Sequence, residues 1–117
     1  MIRRISANLR PKSAEAAITD ERASLRLLAV SDETEHAFDF ERNRADLGPI
    51  DAIVGAGDLR PDYLDFLTMA FKAPLLYVRG NHDRGGGWEE QLEHVPEPMD
   101  GHVHELNGVR FAGLSWP

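Results

Sequence analysis

Leu25-Arg26-Leu27-Leu28-Ala29-Val30-Ser31-Asp32, Ala52-Ile53-Val54-Gly55-Ala56-Gly57-Asp58 and Leu75-Leu76-Tyr77-Val78-Arg79-Gly80-Asn81 decide how this chain folds. Each is a short, nearly continuous apolar run that ends on an oxygen-bearing side chain. Runs of this length and continuity suit strands buried on both faces, as in a parallel sheet. The segments between them are long enough for the crossovers that parallel pairing needs. In the second crossover Tyr63, Phe66, Leu67, Ala70 and Phe71 recur at helical spacing and make one apolar stripe. Pro61 suits its first turn and Pro74 its stop. The first crossover, around Ala37–Leu47, has no clean apolar face, and Gly48-Pro49 ends it. The reading from Leu25 to Val78 is therefore β-α-β-α-β, an α/β class.

Working outward, Arg84-Gly85-Gly86-Gly87 reads as a loose loop and Trp88–Leu92 as a short helix. His102–Leu106 and Val109–Leu114 flank Asn107-Gly108, a strong hairpin signal because both central residues need positive φ. Residues 1–24 lack sustained apolar periodicity and contain Pro11, so they read as a mobile N-terminal extension with a helical turn around Ala14–Ile18. The folded part is then 25–117.

Composition excludes several classes. There are no cysteines, which removes disulfide frameworks, thiolate metal sites and cysteine nucleophiles. No apolar run approaches the ~18 residues of a membrane span, and no signal-type segment follows the N-terminal arginines. A membrane partner is not expected, and the cytoplasm is the default compartment. Thirteen Lys and Arg against twenty Asp and Glu give a net charge of -7. The first 26 residues are net +3 and the remainder net -10. Such a body does not indicate nucleic acid as a partner, although metal ions can bring phosphate to an acidic surface.

The chemistry lies where the strands end. In open parallel sheets, ligands bind outside the carboxyl ends of the strands. Asp32, Asp58 and Asn81 offer oxygen donors suited to divalent cations. His82 follows at once, with Asp83 beside it to fix its tautomer or raise its pKa. The alternative is that Asp and Asn simply close turns after strands.

Gly57-Asp58 and Gly80-Asn81-His82-Asp83, each after an apolar strand and preceded by Ser31-Asp32, resemble the calcineurin-like metallophosphoesterases. The likeness extends from Leu25 to Pro117, because the hairpin and Ala112-Gly113-Leu114 are similar to that family's middle portion. It implies the first half of a four-layer α/β/β/α sandwich, with two divalent metal ions (Mn, Fe or Zn) at the strand ends. By the resemblance, Asp32 binds the first metal, Asp58 bridges both and Asn81 binds the second. His82, held by Asp83, protonates the leaving oxygen of a phosphate ester, a phosphomonoester or phosphodiester. The two ions clamp the phosphate and acidify an attacking water.

Two departures stand out. The family pattern has Asp-x-His after the first strand, whereas Thr34 holds that position here and His36 comes two residues later. His36 is a candidate substitute ligand, as are Glu33 and Glu35. The family's later histidines, ending in Gly-His-x-His, have only Gly101-His102-Val103-His104 as a match, and that stretch leads straight into the hairpin. The expected set is thus about half of a two-metal site, held by a truncated or partial domain whose activity alone is in question. An uncovered sheet would leave self-association open. A non-catalytic, degenerate phosphoesterase-like module that binds a partner or phosphate is the rival. A response-regulator-like receiver suits Gly-Asn-His-Asp and the hairpin less well.

Overall fold

The computed structural model describes residues 2–8 (backbone), 24–84, 88 and 95–116. The expected turn around Ala14–Ile18 lies outside them, as do most of the expected helix Trp88–Leu92 and Gly85–Gly87 of the loop.

The three apolar runs form strands β2 (Ser24–Val30), β3 (Ala52–Gly55) and β4 (Leu75–Tyr77). They pair in parallel, with Leu28 opposite Ile53 and Ile53 opposite Leu75. One segment departs from the sequence expectation. In place of an unstructured extension, Ile2–Asn8 forms a further strand, β1, antiparallel to β2 from Ile2↔Val30 to Asn8↔Ser24. The alternation in Ile2-Arg3-Arg4-Ile5-Ser6 is too weak to announce a strand, and it is the backbone ladder offered by β2 that organises it. The sheet order is β1-β2-β3-β4.

Alternation along the strands divides the core in two. Leu28, Val30, Ile53, Leu75 and Tyr77 face the helical side, where Leu59, Leu64 and Leu67 meet them. Leu25, Leu27 and Ala52 face the other way and pack with Val109. That second cover is the hairpin of β5 (Val103–Leu106) and β6 (Val109–Ala112). Its inner row, Leu106, Val109 and Phe111, lies against the parallel sheet. Helices, sheet and hairpin make three layers. Asn107 (φ 50) and Gly108 (φ 81) both take the left-handed conformation that a two-residue hairpin turn demands.

The first crossover is a 3-10 turn, His36–Asp39, followed by helix α1 (Glu41–Leu47). No residue of α1 is fully buried, which agrees with the lack of a clean face. The anchor is Phe38, buried and set edge-on to Phe71 at 5.3 Å. Helix α2 (Pro61–Phe71) carries Pro61 at its start and ends at Lys72 in the left-handed region. It buries Tyr63, Leu64 and Leu67 fully, and Phe66 and Phe71 in part. Leu64 widens the stripe read from the sequence. It packs beside Gly55, where a Cβ would stand at an ordinary 3.4 Å from Leu64 Cδ2 but at a tight 3.0 Å from Tyr77 Cβ. Among the described residues no helix is long and apolar enough to cross a membrane.

Two stability outcomes follow from this packing. Leu67 is wholly buried, so Leu67→Ala is expected to lower the unfolding free energy by about 2–5 kcal/mol in a denaturant titration. Asp100 accepts hydrogen bonds from the Ser115 hydroxyl and N–H, and these hold its carboxyl below the usual carboxylate range. A group lowered on folding stabilises the fold above its unfolded pKa, and that contribution is lost as pH falls through the folded value. The denaturant midpoint is expected to drop on going from about pH 5 to about pH 3, and to drop less in Ser115→Ala.

Candidate active site at the strand ends

The carboxyl ends of β2, β3 and β4 lie side by side, and each continues into one candidate residue. Backbone bonds tie the three loops together. Ala56 N–H donates to Val30 O (2.9 Å), Asp32 N–H to Gly57 O (3.2 Å) and Val78 N–H to Gly55 O (3.0 Å). Asp32 (φ 66) and Asp58 (φ 58) both hold the left-handed conformation. Asp and Asn tolerate that region better than most residues, and it is a recurring feature of functional turns.

Asp83 is the one buried polar or charged side chain among the described residues, at 7% exposure. Its Oδ2 accepts from Asp58 N–H and from Gly80 N–H, both at 2.8 Å. The resemblance implied Asp83 beside the His82 ring. In the structure its carboxylate turns to the backbone instead, and the carboxylate next to the ring is that of Asp58. Asp58 Oδ1 accepts from His82 N–H at 3.0 Å and lies 3.5 Å from His82 Nδ1. His82 Nε2 is 3.5 Å from the Asn81 amide nitrogen. Both Asn81 and His82 are exposed.

The approach of these loops requires glycine. A Cβ on Gly80 would stand 2.2 Å from Asp58 Oδ1 and 2.8 Å from Asp58 N. One on Gly57, at φ 103, would stand 2.9 Å from Gly80 N.

Asp32 is exposed and accepts from its neighbour's hydroxyl, Ser31 Oγ to Oδ2 at 2.7 Å. Asp58 Oδ2 takes no hydrogen bond among the described residues, since Asp83 serves the loop N–H groups. By type, these carboxylates and the Asn81 amide suit a hard or borderline divalent cation. The other candidates sit elsewhere. His36 is 83% exposed and its Nδ1 lies 3.4 Å from Asp39 in its own turn. Glu35 accepts from Ala37 N–H and so caps that turn, while its own N–H donates to Tyr63 Oη. His104 lines a cleft with Pro74 and Leu75, at the end of β4 opposite Gly80. His102 N–H donates to Met99 O on the approach to the hairpin. Among the described residues no group of three or more His, Cys, Asp or Glu side chains stands together as a metal cluster.

Sequence reasoning did not find the pairing of Asp58 with His82, nor Ser115 and Asp100, which reach the strand ends from the hairpin side. Arg79 N–H donates to Ser115 Oγ at 2.8 Å. Contacts between residues so far apart in the chain leave no local pattern to read.

Compared with protein-family models, curated proteins and solved structures, the chain gives no match.

The geometry predicts the outcome of three substitutions. Asp83→Ala leaves two buried N–H groups without an acceptor and is expected to cost roughly 2–5 kcal/mol in chemical denaturation. Asp83→Asn, whose amide oxygen still accepts, should cost less. Gly80→Ala has no room for its methyl and should cost about 1–3 kcal/mol.

Proposed function

We propose that the chain carries the strand-end site of a metal-dependent phosphoesterase acting on phosphomonoesters or phosphodiesters. The observation that carries this reading is the division of labour between two carboxylates. Asp83 takes the backbone N–H groups of both loops, and Asp58 sets its Oδ1 beside an exposed imidazole. On this reading Asp32, Asp58 and Asn81 would hold divalent cations (Mn, Fe or Zn). Such ions neutralise phosphate charge and acidify a water. They also account for phosphate recognition by a body of net charge -10, which has no basic patch to offer.

The chain's own contribution is orientation and proton handling. Asp58 Oδ1 accepts from the His82 N–H and lies beside its Nδ1, while Nε2 faces the Asn81 amide. In its doubly protonated form the ring can deliver a proton to the leaving oxygen, the general-acid role. Asn81 supplies a neutral amide oxygen, which adds a donor without adding charge. The hairpin, in the same proposal, begins the second sheet of a four-layer α/β/β/α sandwich, and the cytoplasm is the proposed compartment.

A second reading has its own support. His36 pairs with Asp39 on the surface, and His102 and His104 belong to the hairpin side. A site with one imidazole suits a non-catalytic module that binds phosphate or a phosphorylated partner.

Hydrolysis of a chromogenic phosphodiester with and without added Mn²⁺, alongside Mn²⁺ binding by calorimetry, separates the two. Turnover is expected to require Mn²⁺. Asp58→Asn should weaken Mn²⁺ binding by about tenfold or more. His82→Ala should keep the binding and lose about 10²–10⁴-fold in turnover. Binding without turnover favours the second reading, whereas activity indifferent to both substitutions sinks the site assignment.

A further inference from the structure

Past Val78, β4 has no further partner in β3, yet the residues that follow must hold Asn81 and His82 in place. The last ladder contact between the two strands is Val78 N–H to Gly55 O. Arg79, directly before Gly80, takes both of its backbone partners from the segment after β6. Its N–H donates to Ser115 Oγ at 2.8 Å, and its C=O accepts from Trp116 N–H at 2.9 Å. Ser115 is itself fixed by Asp100, whose two oxygens accept from its N–H (2.5 Å) and its hydroxyl (2.6 Å). Because the hydroxyl proton goes to Asp100, the Ser115 oxygen has its lone pairs free to accept from Arg79. One hydroxyl thus donates on one side and accepts on the other, so the carboxylate reaches the Arg79 backbone through it. The segment runs close against β4, since a Cβ on Gly113 would lie 2.7 Å from Val78 Cγ1.

From these contacts we propose that Ser115, oriented by Asp100, is a positioning residue for the Gly80–Asp83 loop. It acts through the Arg79 backbone and touches none of the proposed donors. Asp83 and the Gly57–Gly80 contact hold the loop from the β3 side, while Ser115 and Trp116 hold it from the free side of β4. The proposal rests on the phosphoesterase reading for its functional consequence and on geometry alone for the positioning.

The test uses the full chain with Ser115→Ala, Ser115→Thr and, as a control, Phe111→Ala, which loosens the hairpin without touching Arg79. Amide exchange and ¹H–¹⁵N shifts give the local readout, and Mn²⁺ affinity gives the functional one. Ser115→Ala is expected to speed exchange of the Arg79 amide by about two- to tenfold, as loss of one hydrogen bond implies. It should also shift the amides of Gly80 to His82 and weaken Mn²⁺ binding severalfold. Ser115→Thr, which keeps the hydroxyl, should restore all three, and Phe111→Ala should leave the Gly80–His82 shifts unchanged. Unchanged shifts at Gly80–His82 in Ser115→Ala, or failure of threonine to rescue, overturns the positioning role. A wild-type chain that binds no Mn²⁺ instead overturns the phosphoesterase reading, and with it the functional consequence, while the amide data still decide the positioning.

Discussion

Two backbone N–H groups, one from the end of β3 and one from the end of β4, meet in the buried carboxylate of Asp83. A buried carboxylate is tolerable only where donors replace the water it has lost. Here the donors are Asp58 N–H and Gly80 N–H, and such charge-assisted bonds are stronger than neutral ones. The constraint runs in both directions. The N–H groups need an acceptor because the strands have run out of ladder, and the acceptor needs them because it has left solvent. The close approach of Gly57 and Gly80 and the left-handed turn at Asp58 follow from satisfying both at once. So does the exposure of His82, which projects from a loop whose polar interior is already occupied.

The rest of the fold can be understood as support for that junction. Helix α2 and the Phe38–Phe71 contact cover one face of the sheet, and the hairpin covers the other. Each cover also reaches the loops at the strand ends, through Tyr63 from the helix and Ser115 from beyond the hairpin. They fix where β2, β3 and β4 stop, and so where Asp32, Asp58 and Asn81 begin. Of the seventeen acidic residues of the body, three, Asp32, Asp58 and Asp83, stand at these strand ends. They do different work: Asp83 organises backbone, Asp58 orients an imidazole, and Asp32 is turned toward the Ser31 hydroxyl.

Features that depend on neighbours in the chain were legible in the sequence. The buried strands were visible as unbroken apolar runs, helix α2 as a stripe between two prolines, and the hairpin as Asn107-Gly108. The stripe omitted Leu64, which lies beside it on the helix and is buried only through packing against the sheet. Strand β1 was not legible, since its order comes from pairing with β2 and its own pattern is faint. For the site, the positions of Asp32, Asp58 and Asn81 at strand ends could be read directly. The partner of each side chain could not. Whether a carboxylate two positions from an amide turns to a ring or to a backbone N–H is settled by loop closure in three dimensions, and Asp83 turned to the backbone.

The segments on either side of the hairpin, one carrying Met99 and the other Ser115 and Trp116, have one more consequence. A terminal strand in a sheet offers unpaired N–H and C=O groups to any passing chain, which is how edge-to-edge aggregation begins. On β4 and just beyond it, Tyr77 O is taken by Met99 N–H, Arg79 N–H by Ser115 and Arg79 O by Trp116 N–H. The residues proposed to brace the loop therefore also cover the Arg79 end of this edge, and the same few hydrogen bonds withhold those backbone groups from pairing with another chain.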